Sequence, residues 1–220
     1  MGTSDEGAAG RVVTVSATFG AGGSRVAPAV AERLGLPFFD RLLHGPDSRT
    51  PERISEQLSE EERRQVPPGR MAAGLARASA GLGIPVPHPA DVPVAEHLRA
   101  QTERSLDRIW SSSGGVVLGR GAAVVLGRRP GAFHVRLDGP QERRLAQALR
   151  LEPMQPDEAA GKQATTDAAW VRFVKVLFDR DPSDPRLYHL VLDSTALPLD
   201  RCVDLVAEAA TAFWAAEEPV

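Results

Sequence analysis

The sequence predicts an α/β fold in which a parallel sheet is covered by helices on both faces. Runs that are apolar throughout, such as 116–118 and 190–192, have the composition of strands buried on both faces. Stretches with helical spacing of apolar residues separate these runs, as between Val26 and Leu34. Strands that alternate with helices in this way are typical of parallel sheets.

The first strand and the first helix flank a glycine-rich turn. A β-branched run at 12–15 predicts the strand, and glycines follow at 20–23. A helix that began at Gly23 would contain Pro28 in its interior, where proline removes a hydrogen bond and crowds a carbonyl. We therefore expect Ser24 to be the N-cap, because Pro28 would then lie in the first turn.

The later elements are predicted from the same patterns. A second short strand ends at Asp40, a mixed-charge surface helix extends to about residue 65, and a Pro-, Gly- and Ala-rich loop or flap covers 66–93. We then expect a helix to Trp110, strands at 116–118, 133–137 and 190–192, helices at 122–126, 170–178 and from Pro198, and an irregular insertion at 153–166. Asp138 is expected to cap a helix whose Arg143, Arg144 and Arg150 face away from the core.

The glycine-rich turn predicts an anion site, with phosphate as the usual ligand. A turn that opens into a helix presents backbone N–H groups and the positive end of the helix dipole. The turn matches the phosphate-loop pattern G-x-x-x-x-G-K-[ST] at Gly22 and Ser24, but Ala17 replaces the first glycine and Gly23 replaces the lysine. Arg25 is the nearest cation to the missing lysine.

Two other interpretations of this turn stay open. One is a tight strand-to-helix turn without a ligand. The other is a dinucleotide site, because Gly20 and Gly22 begin a G-x-G and Asp40 follows about twenty residues later, although Arg25 would replace the third glycine.

Arg120 is a second candidate binding residue. It lies between Gly119 and Gly121, directly after the apolar run at 116–118. Ligands of open α/β sheets bind beyond the carboxyl ends of strands, so this position favours contact with a ligand. A solvated loop arginine is the alternative.

Composition limits the remaining classes of function. The chain has 220 residues and a formal net charge of −3, so it offers no general surface for nucleic-acid polymers. We expect one domain at 11–216 after a disordered leader at 1–10. The single cysteine, Cys202, excludes an intramolecular disulfide, and no apolar run is long enough for a membrane span, which favours the cytoplasm. The histidines lack metal-ligand spacing, and no feature predicts an oligomeric state.

Several blocks in the right order resemble the cytidylate kinase-like proteins, a divergent branch of the nucleoside monophosphate kinases. The blocks are VSATFGAGGSRVA, LGLPFFD, VVLGRGAAVVL, FHVRLDGPQERRLAQAL and DPSDPRLYHLVLDSTALPLDRCVDLV. The resemblance implies a three-layer P-loop kinase fold that binds ATP, Mg²⁺ and a small nucleotide substrate. It also implies a monophosphate-binding insertion at about 41–104 and a lid at about 150–186.

The resemblance further implies roles for individual residues. The donor phosphates would contact Thr18, Phe19, Gly20, Ala21, Gly22, Gly23, Ser24 and Arg25, and Ser24 would also bind Mg²⁺. The acceptor would contact Asp40 and Arg120, and Asp138 would lie near the site. The cations that stabilise the transition state would be Arg25, Arg143, Arg144, Arg172 and Arg180.

Two functions therefore remain in view. One is transfer of the γ-phosphoryl group of ATP to a nucleoside monophosphate, with CMP or dCMP as the first choice. The other is a degenerate kinase fold that binds a nucleotide without turnover. Loss of the lysine, one of the charges that stabilise such a transition state, is the reason for the second.

Overall fold

The structure is a computed structural model, and it describes residues 10–40 and 92–217. The predicted surface helix, the flap at 66–91 and residues 1–9 of the predicted leader lie outside the described residues. The elements are β1 (Val12–Ala17), α1 (Gly23–Leu34), β2 (Phe38–Phe39), α2 (Val92–Trp110), β3 (Gly115–Leu118), α3 (Ala122–Leu126), β4 (Ala132–Asp138), α4 (Gln141–Leu151), α5 (Pro156–Phe178), a 3₁₀ turn (Pro185–Leu187), β5 (Leu190–Asp193) and α6 (Leu199–Glu217).

The described strands form one parallel sheet in the order β2-β3-β1-β4-β5. β1 lies at its centre, with Val13 opposite Val116 of β3 and Phe133 of β4. Because all strands run the same way, their carboxyl ends meet at one edge of the sheet. The glycine-rich turn after β1 lies at that edge, between the ends of β3 and β4.

Helices cover both faces of the sheet, as the sequence predicts. α1 and α6 pack on one face, where Val26, Val30 and Val206 are buried against Val13 and Val15. α2 and α3 cover the other face through residues such as Leu106 and Leu126. α5 packs beside α2 and α4 and has its own aromatic cluster around Phe173. No helix in the described ranges is long and apolar enough to span a membrane.

A buried histidine joins the middle strands. Nδ1 of His134 in β4 accepts a hydrogen bond from the Thr14 hydroxyl of β1 at 2.8 Å, and Nε2 donates to the Gly127 carbonyl at 2.5 Å. The pKa of His134 is lowered from 6.5 to about 4, mainly by burial and also by nearby His189, against the raising effect of the Gly127 bond. The ring is therefore neutral at pH 7, with one donor and one acceptor used.

The predicted N-cap of α1 is wrong. The helix begins at Gly23, and Gly22 is the cap, with φ 77° and no side-chain cap hydrogen bond. The Gly22 carbonyl accepts the N–H groups of both Arg25 and Val26. Glycine reaches this left-handed conformation without strain, so the chain turns into the helix before Ser24. Pro28 consequently lies inside α1, where it has no N–H for the Ser24 carbonyl.

Two predictions about the second half of the chain are also wrong. Asp138 is the last residue of β4 rather than a helix cap, and α4 begins after Pro140. Residues 153–166 are largely helical, because α5 starts at Pro156, a residue favoured in the first turn. Buried polar residues hid this helix: Gln163 and Thr166 continue the buried face of Trp170 toward the N-terminus.

Arg144 does not face away from the core. Its exposed fraction is 7%, whereas Arg143 and Arg150 are exposed as predicted. The hydrogen bonds that hold Arg144 are part of the candidate site.

Candidate functional site

The candidate site is the loop from Thr18 to Gly22, which connects β1 to α1. Gly20 and Gly22 have φ of 79° and 77°, in the left-handed region that glycine occupies most readily. A Cβ at Gly20 would lie 2.1 Å from the Arg144 carbonyl oxygen, and one at Gly22 would lie 2.7 Å from a methyl of Leu199. Both glycines are therefore required by conformation and by space.

Side chains from outside the loop hold its carbonyl groups. Arg144 Nη1 donates to the Phe19 carbonyl at 2.7 Å, and Gln147 Nε2 donates to the Gly20 carbonyl at 3.0 Å. The buried Ser194 hydroxyl donates to the Ala21 carbonyl at 2.7 Å. α4 and the segment after β5 thus fix consecutive peptide groups of the loop.

The same bonds orient the N–H groups of the loop. In a trans peptide the N–H points opposite to the C=O, so the N–H of Gly20 points away from Arg144 and that of Gly22 away from Ser194. Within the described ranges, no residue accepts a hydrogen bond from the N–H groups of Gly20, Gly22, Gly23 or Ser24. These donors lie at the positive end of α1, an arrangement that is typical of anion sites.

The packing of Gly23 against Ala17 explains why the lysine of the pattern is absent. A Cβ on Gly23 would lie 2.5 Å from the Cβ of Ala17 and 3.3 Å from a methyl of Leu118. Ala17 occupies the position of the first glycine in the phosphate-loop pattern. The two departures from the pattern are therefore one steric exchange, in which the methyl of Ala17 fills the space that a side chain at 23 would need.

Asp138 holds the start of the loop and has no oxygen left over. Oδ1 accepts the Thr18 hydroxyl and the Gly139 N–H, both at 2.9 Å, and Oδ2 accepts Arg136 Nη2 at 2.7 Å. Burial acts to raise the pKa of Asp138, but the hydrogen bonds from Arg136, Gly139 and Thr18 outweigh burial and lower it. Asp138 is thus ionised at neutral pH and accepts the hydrogen bond that positions Thr18.

Arg143 and Arg144 are neighbours with different environments. Arg143 is half exposed and pairs with Asp193 at 2.5 Å, at the end of β5. Arg144 donates through Nε to the Gly139 carbonyl and through Nη1 to Asp167 of α5, with an exposed side-chain fraction of 9%. Arg143 is therefore open to a ligand on one side, while Arg144 is built into the loop.

Four other residues predicted for the site lie on α1, on α5 or just beyond α5. Ser24 and Arg25 are exposed on the first turn of α1, and the Ser24 hydroxyl has no hydrogen bond to any described residue. Arg172 and Arg180 are exposed, on α5 and just beyond it. Neither arginine makes a hydrogen bond or an ion pair with the loop in the described part of the chain.

Asp40 and Arg120 lie just beyond the carboxyl ends of the neighbouring strands β2 and β3. Asp40 directly follows β2, whose Phe39 pairs with Val117 of β3, and Arg120 follows the end of β3. Arg120 has φ 61°, a left-handed conformation that is uncommon for a side-chain-bearing residue. Neighbouring strands thus bring both residues to the same region of the edge.

Sequence reasoning missed the residues that shape the loop from outside: Arg136, Gln147, Asp167 and Ser194. One pattern could have found Gln147, because it lies three residues after Arg144 on the same face of a helix. Asp167 had no such pattern.

The family comparison matches this geometry. The model of the cytidylate kinase-like family matches residues 12–196, which include β1, the loop and every described element as far as β5. The chain belongs to the cytidylate kinase-like family. Membership confirms the resemblance seen in the sequence, and the fold is the predicted P-loop kinase fold.

Solved structures that are similar to this cytidylate kinase-like protein differ widely from it in sequence. An uncharacterized protein from Eubacterium ventriosum has a TM-score of 0.60 and 13% identity, and the match covers 91% of this chain and 98% of that one. A gluconokinase from Sinorhizobium meliloti has a TM-score of 0.49 and 21% identity, with 93% of each chain covered. A shikimate kinase from Acinetobacter baumannii has a TM-score of 0.46 and 13% identity, with 96% of each chain covered.

A curated relative matches only part of its length. A protein named uronate isomerase, from Corynebacterium glutamicum, is 30% identical over 110 residues, which are 50% of this chain and 21% of that protein. This chain therefore spans about a fifth of that relative.

Proposed function

We propose that this protein is a phosphotransferase that passes the γ-phosphoryl group of ATP to a nucleoside monophosphate, with CMP or dCMP as the acceptor. The observation that supports this most is that Arg144, Gln147 and Ser194 bind the carbonyl groups of the loop, so that these groups point away from the proposed phosphate position. The N–H groups of Gly20, Gly22, Gly23 and Ser24, which no described residue accepts, are the complement of a polyphosphate chain. Thr18, Phe19 and Ala21 complete the loop around the donor, with their own N–H groups bonded to Leu137, Asp167 and Thr18.

Mg²⁺ fits one group of this site. The Ser24 hydroxyl is exposed, lies on the first turn of α1 and has no other partner among the described residues. A bound Mg²⁺ would neutralise charge on the donor phosphates, as in other phosphoryl transfers. Ser24 is the residue that would hold it.

The chain's own cations have separate tasks in this proposal. Arg25 and Arg143 are exposed beside the loop and stabilise the charge that develops on the transferred group. Arg144 keeps the loop in shape. Arg172 and Arg180 belong to a lid at about 150–186, which brings them to the donor when it closes.

The acceptor would bind at the ends of β2 and β3. Arg120 pairs with the acceptor phosphate, and Asp40 accepts a hydrogen bond from the acceptor. The resemblance also assigns acceptor binding to the insertion at about 41–104, of which 41–91 lie outside the described residues. Catalysis then consists of positioning and charge neutralisation, without a covalent intermediate on the protein.

An assay of ADP release tests this proposal. Wild-type protein with Mg-ATP is supplied in turn with CMP, dCMP, the other nucleoside monophosphates and sugar acids. We expect turnover with CMP or dCMP, reduced by Arg120→Ala and unchanged by Arg33→Ala, a control at an exposed arginine in the last turn of α1, at the end away from the loop. Turnover only with a sugar acid would contradict the nucleotide acceptor.

The degenerate, non-catalytic binder remains the second candidate, because the Ala17 methyl fills the space next to Gly23. Binding of Mg-ATP by calorimetry, with no ADP release for any acceptor in the panel, would favour this candidate. Stabilisation by NAD without stabilisation by Mg-ATP would instead favour the dinucleotide interpretation.

A further inference from the structure

Asp167 connects α5 to the loop from Thr18 to Gly22, called the phosphate loop below, through both of its carboxylate oxygens. Oδ1 accepts the N–H of Phe19 at 2.9 Å, and Oδ2 accepts Arg144 Nη1 at 2.8 Å. Arg144 Nη1 also donates to the Phe19 carbonyl at 2.7 Å. One ion pair therefore grips the peptide groups on both sides of Phe19.

This ion pair is largely shielded from water. The exposed side-chain fractions are 9% for Arg144 and 26% for Asp167. Asp138 Oδ1 also lies 3.6 Å from Arg144 Nε, but Asp167 is the carboxylate that accepts a hydrogen bond from Arg144. Because breaking a shielded ion pair is costly, a shift of Asp167 should move Arg144 with it. The remaining donor bond of Arg144, from Nε to the Gly139 carbonyl at 2.9 Å, ties the same unit to the end of β4.

α5 itself is anchored next to this ion pair. One turn before Asp167, the buried Gln163 donates to the Gln141 carbonyl at the start of α4 at 3.1 Å. One turn after it, Trp170 begins the aromatic cluster with Phe173. A shift of α5 would therefore move the loop directly, because Asp167 and Arg144 bond the two together.

The connection ends on a group that the proposed function uses. The Phe19 carbonyl and the Gly20 N–H belong to the same peptide plane, so a rotation that follows Arg144 changes the direction of the Gly20 N–H. We propose that Asp167 is a positioning residue for the phosphate donor, which sets the shape of the phosphate loop according to the position of α5. This inference rests on the proposed use of the loop as a donor-phosphate site.

The test replaces Asp167 with asparagine and compares Asp157→Asn. Asparagine keeps an oxygen for the Phe19 N–H but removes the charge that pairs with Arg144. Asp157 is exposed in the first turn of the same helix, so its variant loses the same charge without the ion pair. We expect Asp167→Asn to bind Mg-ATP about tenfold more weakly or worse, the size of one lost hydrogen bond to a charged group, and Asp157→Asn to bind it normally.

Hydrogen exchange of the loop without a ligand supplies a second readout. Asp167→Asn should speed amide exchange in the peptide that covers 17–24, while exchange in β1 stays slow. If Asp167→Asn proves too unstable to study, Arg144→Lys takes its place. It keeps the charge but loses the forked geometry, so amide exchange at 17–24 should be faster than in wild type. Equal ATP affinity and equal exchange in Asp167→Asn and Asp157→Asn would overturn the inference.

Failure of the proposed function would look different. Wild-type protein that binds Mg-ATP but releases no ADP contradicts the kinase activity, while a loss of affinity in Asp167→Asn still supports the positioning role. Acceptor affinity adds a check that a purely structural defect would not pass: it should be the same in wild type and Asp167→Asn.

Discussion

Two strand-to-helix turns at the same sheet edge use similar glycines for different purposes. β1 leads into α1 through the phosphate loop, and β3 leads into α3 through Gly119, Arg120 and Gly121. In each, a glycine with positive φ precedes the helix, 77° at Gly22 and 65° at Gly121. The turns differ in what binds their backbone groups.

The β3 turn is closed largely by its own backbone. The Gly119 carbonyl accepts the Ala122 N–H at 3.1 Å, and the Gly121 carbonyl accepts the Val125 N–H at 3.0 Å. The phosphate loop has the same two bonds, from the Ala21 N–H to the Thr18 carbonyl at 3.1 Å and from the Val26 N–H to the Gly22 carbonyl at 2.9 Å. In addition, side chains of α4 and of the segment after β5 bind three of its carbonyl groups. A turn that offers backbone N–H groups therefore needs support from distant elements, whereas a turn that offers one side chain is built locally.

The largest difference between the turns should appear when each glycine receives a methyl group. Gly20→Ala would meet the Arg144 backbone at 2.1 Å with φ 79°, and we expect it to lower the free energy of unfolding by about 4 kcal/mol. Gly121→Ala would meet the Phe178 ring, which can move, and should cost about 2 kcal/mol. Urea denaturation measures both values, and equal losses would contradict the comparison.

Acid should lower the stability of the whole protein, and so of both turns, because protonation of His134 disturbs the contact between β1 and β4. The folded pKa of His134, about 4, is below its ordinary 6.5, so the unfolded chain binds more protons between these values. The free energy of unfolding should be highest above pH 6.5 and fall by about 3 kcal/mol as the pH drops to 4. Burial also lowers the pKa of His189, which adds in the same direction. His134→Gln should flatten the profile, and a wild-type profile that is already flat would contradict the effect.

Restoring the lysine tests the steric exchange in the phosphate loop. Gly23→Lys alone should lower the free energy of unfolding by about 2 kcal/mol, because its Cβ would overlap the methyl of Ala17. Ala17→Gly combined with Gly23→Lys should recover most of that loss and bind Mg-ATP more tightly than wild type. Thermal denaturation of the single and double variants makes the comparison. Additive losses would mean that the two positions are independent.

Arg120→Ala should separate the two turns functionally. We expect acceptor affinity to fall by about tenfold or more, the effect of losing a charge-assisted bond to phosphate, while ATP affinity is unchanged. Calorimetry with each ligand in turn measures both affinities. Wild-type acceptor affinity in this variant would make Arg120 a surface residue.

Ser24→Ala should give the smallest change in stability. Because Gly22 is the cap and the Ser24 side chain makes no cap hydrogen bond, the free energy of unfolding should stay within about 0.5 kcal/mol of wild type. Mg²⁺ should nevertheless improve ATP affinity less than it does in wild type. An unchanged Mg²⁺ effect would remove Ser24 from the metal site.

The sequence predicts the fold well because most strands contain short apolar runs and because the glycine turns after β1 and β3 each lie between a strand and a helix. It could not predict the bonds that shape the phosphate loop. Phe19 meets Asp167 across 148 residues, Gly20 meets Gln147 across 127 and Ala21 meets Ser194 across 173. Ordinary polar residues make these bonds, and their types alone do not indicate a partner. The cap of α1 was missed because Ser24 is a good cap by type, while the conformation of Gly22 decides the start of the helix.

The contact between Ala17 and Gly23 also limits how this lineage can change. A lysine introduced first at 23 meets the methyl group of Ala17, and a glycine introduced first at 17 leaves an unfilled space and a more flexible strand end. Each single change toward the common pattern is therefore expected to lower the stability of the protein. A stronger phosphate site would cost less stability if a cation elsewhere, such as Arg25 or Arg143, supplied the charge than if a lysine stood at 23.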